Sequence, residues 1–445
     1  MLATTVVVVT MLVVAVGLQT IWCLRFVRLF REPKAARVPN DQLPKVAVVL
    51  TLRGADPFLD RTLQGLTQLD YPRYDIRIVV DHKEDPAWEL VHRIIADRGC
   101  KNVIVEELAD RRTTCSLRMS SLIQAVSGLD DSYGVVAIVD ADVVTHANWL
   151  RDLVNPLADP QVGATSGVRW YMPDEMNTGS VVRYVWNAPA VTQMHAFGIG
   201  WGGSLAVRTS LLRDAGILEK WSKIMFEDTF TVNEVQMLGC KLKTIPEATM
   251  INRESIDLAG CTKFISRQVL NARMYHPAWR AIAAHAGLSA VALNGGLVAG
   301  AAALLTGHVA EAAAIAGAFG VYAAGMACLL TLKERTICQM ARRRGEEVHS
   351  TFSWKLVEAG LLTPYVYLAS VAMALRVREI EWRGIKYRLG GPRKVHLLHY
   401  SPYLTLVAFA PAPLASIVTQ YLGRKIHDRF ERRAGLIYRR DAEFL

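Results

Sequence analysis

The chain opens with a long apolar run. Residues 1–24 carry no charged side chain, and about 20 apolar residues are enough to cross the hydrocarbon core of a bilayer. Arg25, Arg28 and Arg31 follow directly, whereas a cleavable signal peptide would carry its positive charge before the apolar run. This order predicts a retained transmembrane anchor over residues 1–26, with a cytoplasmic chain after it.

A soluble region follows at residues 44–280, after a basic linker over residues 27–43. In this region short β-branched runs alternate with helix-like stretches. The predicted strands are Val46–Leu52, Ile76–Val80, Val103–Val105 and Val135–Val139, and the predicted helices are Leu59–Leu69, Ala87–Ala96 and Ser116–Val126. Strands that alternate with helices form a mostly parallel sheet with helices on both faces. The sequence therefore predicts a Rossmann-like α/β domain.

Two further apolar stretches predict a pair of transmembrane helices within residues 281–332. Residues 281–310 and 312–332 carry no charged side chain, and Glu311 falls in the short connection between them. The Lys and Arg residues that come next indicate a cytoplasmic basic loop over residues 333–358.

The last apolar segments, within residues 359–422, leave two topologies open. Both segments, residues 359–375 and 403–422, contain proline and have basic residues on either side. If both cross the membrane, the Trp-Arg-Gly sequence at 382–384 lies outside; if both are re-entrant or interfacial, it stays on the catalytic side. We expect the second arrangement, because the first would place many basic residues outside. The basic tail at residues 423–445 is expected to be cytoplasmic.

Composition narrows the class of protein. The chain has 445 residues, 51% of them hydrophobic and 21% charged, with a formal net charge of +10 and a mean hydropathy of +0.20. These values exclude a disordered chain, and seven scattered cysteines without a Cys-x-x-Cys pair argue against a disulfide framework or a structural zinc site. The basic residues cluster beside apolar runs, which favours a multi-pass membrane protein. Nucleic-acid binding is not indicated, because the soluble region has no basic stripe interleaved with aromatic residues.

A pair of carboxylates follows one of the predicted strands. Val139 leads directly into Asp140, Ala141 and Asp142, and ligands of open α/β sheets bind at the carboxyl ends of strands. Alternate side chains of an extended segment point the same way, so both acids can face one site. Their hard oxygen atoms suit Mg²⁺ or Mn²⁺, which would neutralise a departing diphosphate. The alternative is a solvated turn, since a bare Asp-x-Asp sequence is common.

Other acids have both a chemical and a structural interpretation. Asp81 ends the second strand and would bond a base or ribose, or it caps a helix, a role that Asp85 fits better. Asp228, next to Glu227 and flanked by aromatic residues, is a plausible general base because partial burial tunes its proton affinity. It also fits the cap of a helix beginning at Thr229, and the two roles are compatible.

A basic and amide-bearing group lies on a predicted helix shortly before residue 280. Arg267, Gln268 and Arg273 would hold a phosphate or an acceptor sugar. The alternative is a cationic surface that faces solvent or lipid headgroups before the next membrane helix.

Taken in chain order, these motifs resemble the family 2 inverting glycosyltransferases with a GT-A fold. The nearest branch is that of the ceramide glucosyltransferase-like enzymes, including those that act on hopanoid lipids. The resemblance covers roughly residues 44–280, with further likeness around 381–387. The segments that carry it are Leu69-Asp70-Tyr71-Pro72, Val79-Val80-Asp81, Asp85-Pro86-Ala87, Asp140-Ala141-Asp142, Gly202-Gly203, Glu227-Asp228 and Trp382-Arg383-Gly384 with Tyr387.

The resemblance implies a role for each candidate residue. It implies a cytoplasmic catalytic domain that uses Mg²⁺ or Mn²⁺ and moves a sugar from a nucleotide-sugar, a UDP-sugar in this branch, to a membrane lipid. The implied roles are nucleotide-sugar binding for Asp81, Arg118, Asp140 and Gly203, metal binding for Asp140 and Asp142, base catalysis for Asp228, and acceptor or diphosphate contacts for Glu227, Arg267, Gln268 and Arg273.

The sequence departs from the family pattern at three positions. In the arginine–tryptophan signature near residues 267–273, Leu270 replaces an arginine and Asn271 replaces the tryptophan; Arg118 stands where the lipid branch has lysine. In processive members that tryptophan helps to hold the growing sugar chain, so its loss counts against a polysaccharide synthase. Besides transfer to a lipid and polysaccharide synthesis, a third interpretation is a catalytically silent scaffold. The intact acids at 81, 140, 142 and 228 argue against it.

Overall fold

The computed structural model describes residues 1–32, 37–349, 351 and 353–403. The helices are α1 (Leu2–Leu29), α2 (Leu59–Thr67), α3 (Pro86–Arg98), α4 (Leu117–Ser127), α5 (Trp149–Val154), α6 (Thr178–Phe197), α7 (Thr209–Arg213), α8 (Ile217–Trp221), α9 (Asp228–Met237), α10 (Leu258–Tyr275), α11 (Trp279–Leu305), α12 (Val309–Arg343) and α13 (Lys355–Arg376). The strands are β1 (Lys45–Leu52), β2 (Tyr74–Val80), β3 (Val103–Glu107), β4 (Tyr133–Val139), β5 (Val162–Ser166), β6 (Arg169–Tyr171), β7 (Ser204–Arg208), β8 (Lys241–Thr244), β9 (Met250–Asn252), β10 (Glu379–Trp382), β11 (Ile385–Gly391) and β12 (Lys394–His399).

A seven-stranded sheet forms the centre of the α/β domain. Its strand order is β3-β2-β1-β4-β7-β5-β8, and β1 to β4 pair in parallel. Alternate residues of β1 belong to two hydrophobic cores, one on each face of the sheet. Val46 and Val48 pack on one face, and Ala47 and Val49 pack on the other. A strand buried on both faces is a continuous apolar run, so the predicted α/β fold is confirmed.

Strand β7 runs antiparallel to both of its neighbours, β4 and β5. The loop at Trp201–Gly203 lies at the carboxyl end of β4, so the strand that follows it can only run back along β4. The sequence pattern did not predict this reversal, because the apolar pattern of a buried strand does not depend on the direction in which the strand runs.

Four helices of the described chain are long and apolar enough to cross a membrane: α1, α11, α12 and α13. Helices α1 and α12 pack closely, with Val16 against Gly325, and Gly296 of α11 lies between Phe319 and Val8. Small residues permit such close contact in lipid. Helix α12 continues to Arg343, so the chain remains helical past the start of the basic loop predicted at residue 333.

The C-terminal part contains α13 and a three-stranded antiparallel sheet, β10-β11-β12, which the sequence pattern did not predict. Helix α13 contacts the α/β domain at both ends: Lys355 Nζ donates to Met176 O over 2.7 Å, and Arg273 donates to the carbonyl of Ala374. The apolar segment from residue 404 and the tail at 423–445 lie outside the described residues.

Candidate active site

The two acids after β4 lie beside a glycine loop. A Cβ atom on Gly203 would lie 2.8 Å from Asp140 Oδ2 and 2.3 Å from the Trp201 ring. Because either distance is far below van der Waals contact, only glycine lets the loop approach the carboxylate so closely. The glycine loop and the Asp140 carboxylate therefore form one wall of the site.

Arg118 links two of the predicted acids. Its Nε and Nη2 donate to Glu227 Oε1 over 2.8 and 2.6 Å, and its Nη2 lies 2.9 Å from Asp140 Oδ1. Burial raises the pKa of Glu227, although Arg118 opposes that change. Burial would lower the pKa of Arg118, but Glu227 and Asp140 raise it above its ordinary value. Arg118 is therefore a counter-ion that both acids share.

Asp142 is a poorly neutralised carboxylate. Its Oδ2 accepts from Asn252 Nδ2 over 3.1 Å. Burial and then the Asp140 charge raise its pKa to about 6, while Arg169 acts in the opposite direction. A divalent cation between Asp140 and Asp142 would relieve this repulsion, so the donor pair fits Mg²⁺ or Mn²⁺. Within the described part of the chain, no group of three or more His, Cys, Asp or Glu residues is arranged for metal binding.

Asp228 is the first residue of α9, one position earlier than the sequence predicted for the helix start. Its Oδ1 accepts from Thr229 N over 2.6 Å and from Asn271 Nδ2 over 2.7 Å, and its Oδ2 accepts from Gly202 N over 3.2 Å. Three donors therefore fix this carboxylate. Sequence reasoning missed the contact with Asn271, because the residue at that position was interpreted only as a lost tryptophan.

Asp81 lies at the end of β2 and is 1% exposed. Its Oδ1 accepts from Tyr400 Oη over 3.0 Å and from Arg111 Nε over 3.3 Å, and its Oδ2 pairs with Arg53. Asp85 caps α3, as expected. No local pattern indicated Arg53, Arg111 or Tyr400, since they come from three separate segments.

The Trp-Arg-Gly sequence forms the turn between β10 and β11 and closes one side of the site. Arg383 Nη1 donates to Arg53 O over 2.7 Å, and Arg53 Nε donates to Arg383 O over 2.9 Å. The hydroxyl of Tyr387 accepts from Leu117 N over 3.0 Å, next to Arg118. The C-terminal hairpin is thereby held against the helix that carries the shared counter-ion.

The three residues predicted on α10 lie in different surroundings. The Arg267 guanidinium lies 5.4 Å from the ring centre of Trp382, and burial, followed by the Arg169 charge, lowers its pKa. Gln268 lines the cavity beside Asp228. Arg273 is engaged with the backbone of α13. The acceptor or diphosphate roles of these residues remain predictions.

A cavity of about 1280 Å³ extends from the site towards the apolar helices. Asp228, Gln268 and Asn271 line it at the α/β domain together with much of α6, and residues of α1, α11, α12 and α13 line the side away from the sheet. Many of the latter are apolar; examples are Leu293, Phe319, Leu330 and Leu361. One continuous space therefore joins the predicted base to the membrane helices.

The model of glycosyl transferase family 21 matches residues 5–395, which is most of the chain. The chain belongs to glycosyl transferase family 21. This family 21 protein is therefore a glycosyltransferase, as the sequence predicted. The motifs had suggested family 2, and the finer likeness to hopanoid-lipid enzymes stays a prediction.

Several solved structures are similar to the family 21 chain. The mannosyltransferase PcManGT from Pyrobaculum calidifontis, in complex with GDP-Man and Mn²⁺, has 18% identity and a TM-score of 0.48, with 84% of this chain and 99% of that one covered. Glucosyl-3-phosphoglycerate synthase from Mycobacterium tuberculosis, in complex with Mn²⁺ and UDP-glucose, has 13% identity and a TM-score of 0.34, with 51% and 79% covered.

Proposed function

We propose that this glycosyltransferase moves a sugar from a nucleotide-sugar, taken to be a UDP-sugar, to a lipid acceptor at the inner face of the cell membrane. The reaction inverts the anomeric configuration, and Asp228 is the general base. The proposal depends above all on one observation: Asp228 lines a cavity that extends to all four candidate membrane helices.

The apolar lining of the cavity favours a lipid over a sugar polymer. A lipid chain gains about 25 cal/mol for each Å² of apolar surface that leaves water. Aliphatic residues such as Leu293, Leu330 and Leu361 can bind an acyl chain in this way, but they offer a sugar no hydrogen bond. An acceptor held in this way brings its hydroxyl to a fixed base, which lowers the entropic part of the barrier.

The chemical step needs one proton transfer and one displacement. The Asp228 carboxylate takes the proton of the acceptor hydroxyl. The hydroxyl oxygen forms a bond to the anomeric carbon as the bond from that carbon to the diphosphate breaks, and the nucleoside diphosphate leaves with the bonding electrons. The hydrogen bonds from Gly202 and Asn271 keep the carboxylate directed at the reacting oxygen.

The nucleotide-sugar would bind near the acids at the carboxyl ends of β2 and β4. Asp140 and Asp142 would hold Mg²⁺ or Mn²⁺, which when bound offsets the charge of the departing diphosphate. The glycine loop at Gly203 would contact the nucleotide, and Arg118 would keep Asp140 in place. Asp81 would contact the nucleotide once Tyr400, which bonds its Oδ1, moves away.

The membrane arrangement supports a cytoplasmic catalytic domain. The basic residues Arg25, Arg28 and Arg31 at the end of α1 fit the positive-inside rule. Because α13 contacts the α/β domain at both ends, an interfacial position for this helix keeps the following hairpin on the same side.

The test uses the full-length protein in lipid nanodiscs with Mn²⁺ and a series of labelled UDP-sugars. Asp228→Asn keeps the side-chain shape and an oxygen for the Thr229 and Asn271 donors, so nucleotide binding should persist. Turnover should fall roughly 10²- to 10⁴-fold, the contribution of a positioned general base. Asp97→Asn, the same substitution on the exposed face of α3, is the matched control.

Each outcome has a distinct meaning. Label that is extracted with lipid supports the proposal, and label in a long water-soluble polymer favours a polysaccharide synthase. No transfer from any donor would indicate a silent scaffold. Full turnover by Asp228→Asn would refute the base assignment.

A further inference from the structure

Two cations line the cavity that extends from Asp228 to the membrane helices, and neither has an ion-paired partner there; Asp142 acts on Arg169 only at longer range. Of the described residues that line it, Arg169, Lys333 and Asp228 are the only ones with formal charge, and Asp228 is the only acid. Neither cation makes a hydrogen bond through its side chain or an ion pair within 4.0 Å with any described residue. The charge of the cavity is therefore positive, apart from the proposed base.

Arg169 lies at the start of β6, near the reaction centre. Its guanidinium carbon lies 5.2, 5.3 and 5.0 Å from the ring centres of Tyr171, Trp201 and Phe264. Aromatic faces attract the cation but leave its N–H groups unbonded. The guanidinium is thus held in place, with donors still available to a ligand that can accept two hydrogen bonds.

Lys333 lies on α12 and is 2% exposed. Four positions earlier, the Leu329 carbonyl faces Cys23 Sγ at 3.8 Å, close to the basic end of α1. With the basic end of α1 at the cytoplasmic boundary, as proposed above, the ammonium lies near the depth of lipid headgroups. An ionisable side chain inside a membrane domain is costly unless it meets an opposite charge or a polar path.

We propose that the lipid acceptor is anionic and that Arg169 binds its phosphate or carboxylate group. A planar guanidinium forms two parallel hydrogen bonds with such a group, and Lys333 adds a longer-range attraction from the membrane side. This inference rests on the proposed function for the presence of a lipid in the cavity. It adds the class of lipid and a residue that recognises it.

The experiment compares two short lipids that differ only in a phosphate: dioctanoyl phosphatidic acid and dioctanoylglycerol. Binding to the full-length protein in neutral detergent is measured by titration calorimetry, without donor. The wild type should prefer the phosphate-bearing lipid by roughly 10- to 100-fold, as expected for hydrogen bonds to a charged group. The preference should vanish in Arg169→Met and shrink in Lys333→Met.

Two further variants and one ligand complete the test. Arg93→Met, on the exposed face of α3, should keep the full preference, and Arg169→Lys should keep part of it, because it retains the charge but not the planar fork. UDP should bind the wild type and Arg169→Met equally. This last arm distinguishes an anion on the lipid from the diphosphate of the donor.

Equal binding of the two lipids by the wild type would overturn the inference. So would an Arg169→Met protein that keeps the lipid preference but binds UDP more weakly, since Arg169 would then serve the donor. These outcomes leave transfer to a neutral lipid intact, so they are separate from failure of the proposed function.

Discussion

Replacing Arg118 with methionine removes the cation that Asp140 and Glu227 share. The side chain of Arg118 is 15% exposed, that of Glu227 is 4% exposed and that of Asp140 is 25% exposed. Methionine keeps much of the volume, so the main loss is electrostatic. Glu227 is left as a buried charge without its partner, and the charges of Asp228 and Asp140 repel it.

The size of the effect follows from this burial. Removing one partner of a buried ion pair costs about 3–5 kcal/mol, which corresponds to a fall in Tm of roughly 6–20 °C at about 2–4 °C per kcal/mol. Burial already raises the pKa of Glu227, and loss of Arg118 raises it further. Since a protonated Glu227 needs no counter-ion, the destabilisation should be largest at high pH and should shrink as the pH falls through the raised pKa.

Thermal unfolding of the detergent-purified protein, followed by intrinsic fluorescence between pH 5 and 8.5, measures both effects. The double variant Arg118→Met/Glu227→Gln removes both charges and should recover more than half of the lost Tm. Arg93→Met controls for loss of an exposed arginine. Two results would refute the role of Arg118 as a shared counter-ion. One is an Arg118→Met protein with the Tm of the wild type at every pH, and the other is a double variant whose Tm is no higher than that of Arg118→Met.

Two more predictions concern the acids and the glycine loop. Because the folded-state pKa of Asp142 is raised to about 6, its ionisation opposes folding above that pH. In metal-free buffer at pH 7.5, Asp142→Asn should therefore raise the free energy of unfolding by at most about 3 kcal/mol, measured as a higher Tm. That gain should disappear towards pH 4, and a gain independent of pH would contradict the assignment. A Cβ at Gly202 would lie 2.5 Å from Glu227 Oε1, so Gly202→Ala should cost about 1–3 kcal/mol by overpacking, measured as a lower Tm. Gly317→Ala, where a Cβ meets nothing within 4 Å, should not lower Tm, and equal melting of the two variants would refute the close contact.

The fold of the α/β domain was largely predictable, because its first four strands are apolar on both faces. Burial on both faces produces β-branched runs such as Val135–Val139, which are distinct from the amphipathic helices between them. The β10–β12 sheet escaped prediction for the opposite reason: its strands alternate charged and apolar residues and lie between ambiguous apolar segments. Short strands of this kind carry little local signal.

The candidate site was predictable where the relevant residues are close in sequence. The acids at 140, 142, 227 and 228 follow strand or loop ends, where sheet topology brings them together. Partners that arrive from distant segments were not accessible to that reasoning. Asn271 and Tyr400 touch Asp228 and Asp81 respectively, and no spacing rule connects those positions.

The hairpin at Arg383 has a consequence for how the enzyme is made. Arg53 and Arg383, which bond each other's backbone, are 330 positions apart, and Asp81 and Tyr400 are 319 positions apart. A growing chain leaves the ribosome from its N-terminus, so α11 and α12 have already been synthesised before these partners exist. The surroundings of Asp81 are therefore completed late in biosynthesis, and a nascent chain that has only its α/β domain lacks the groups that cover this carboxylate.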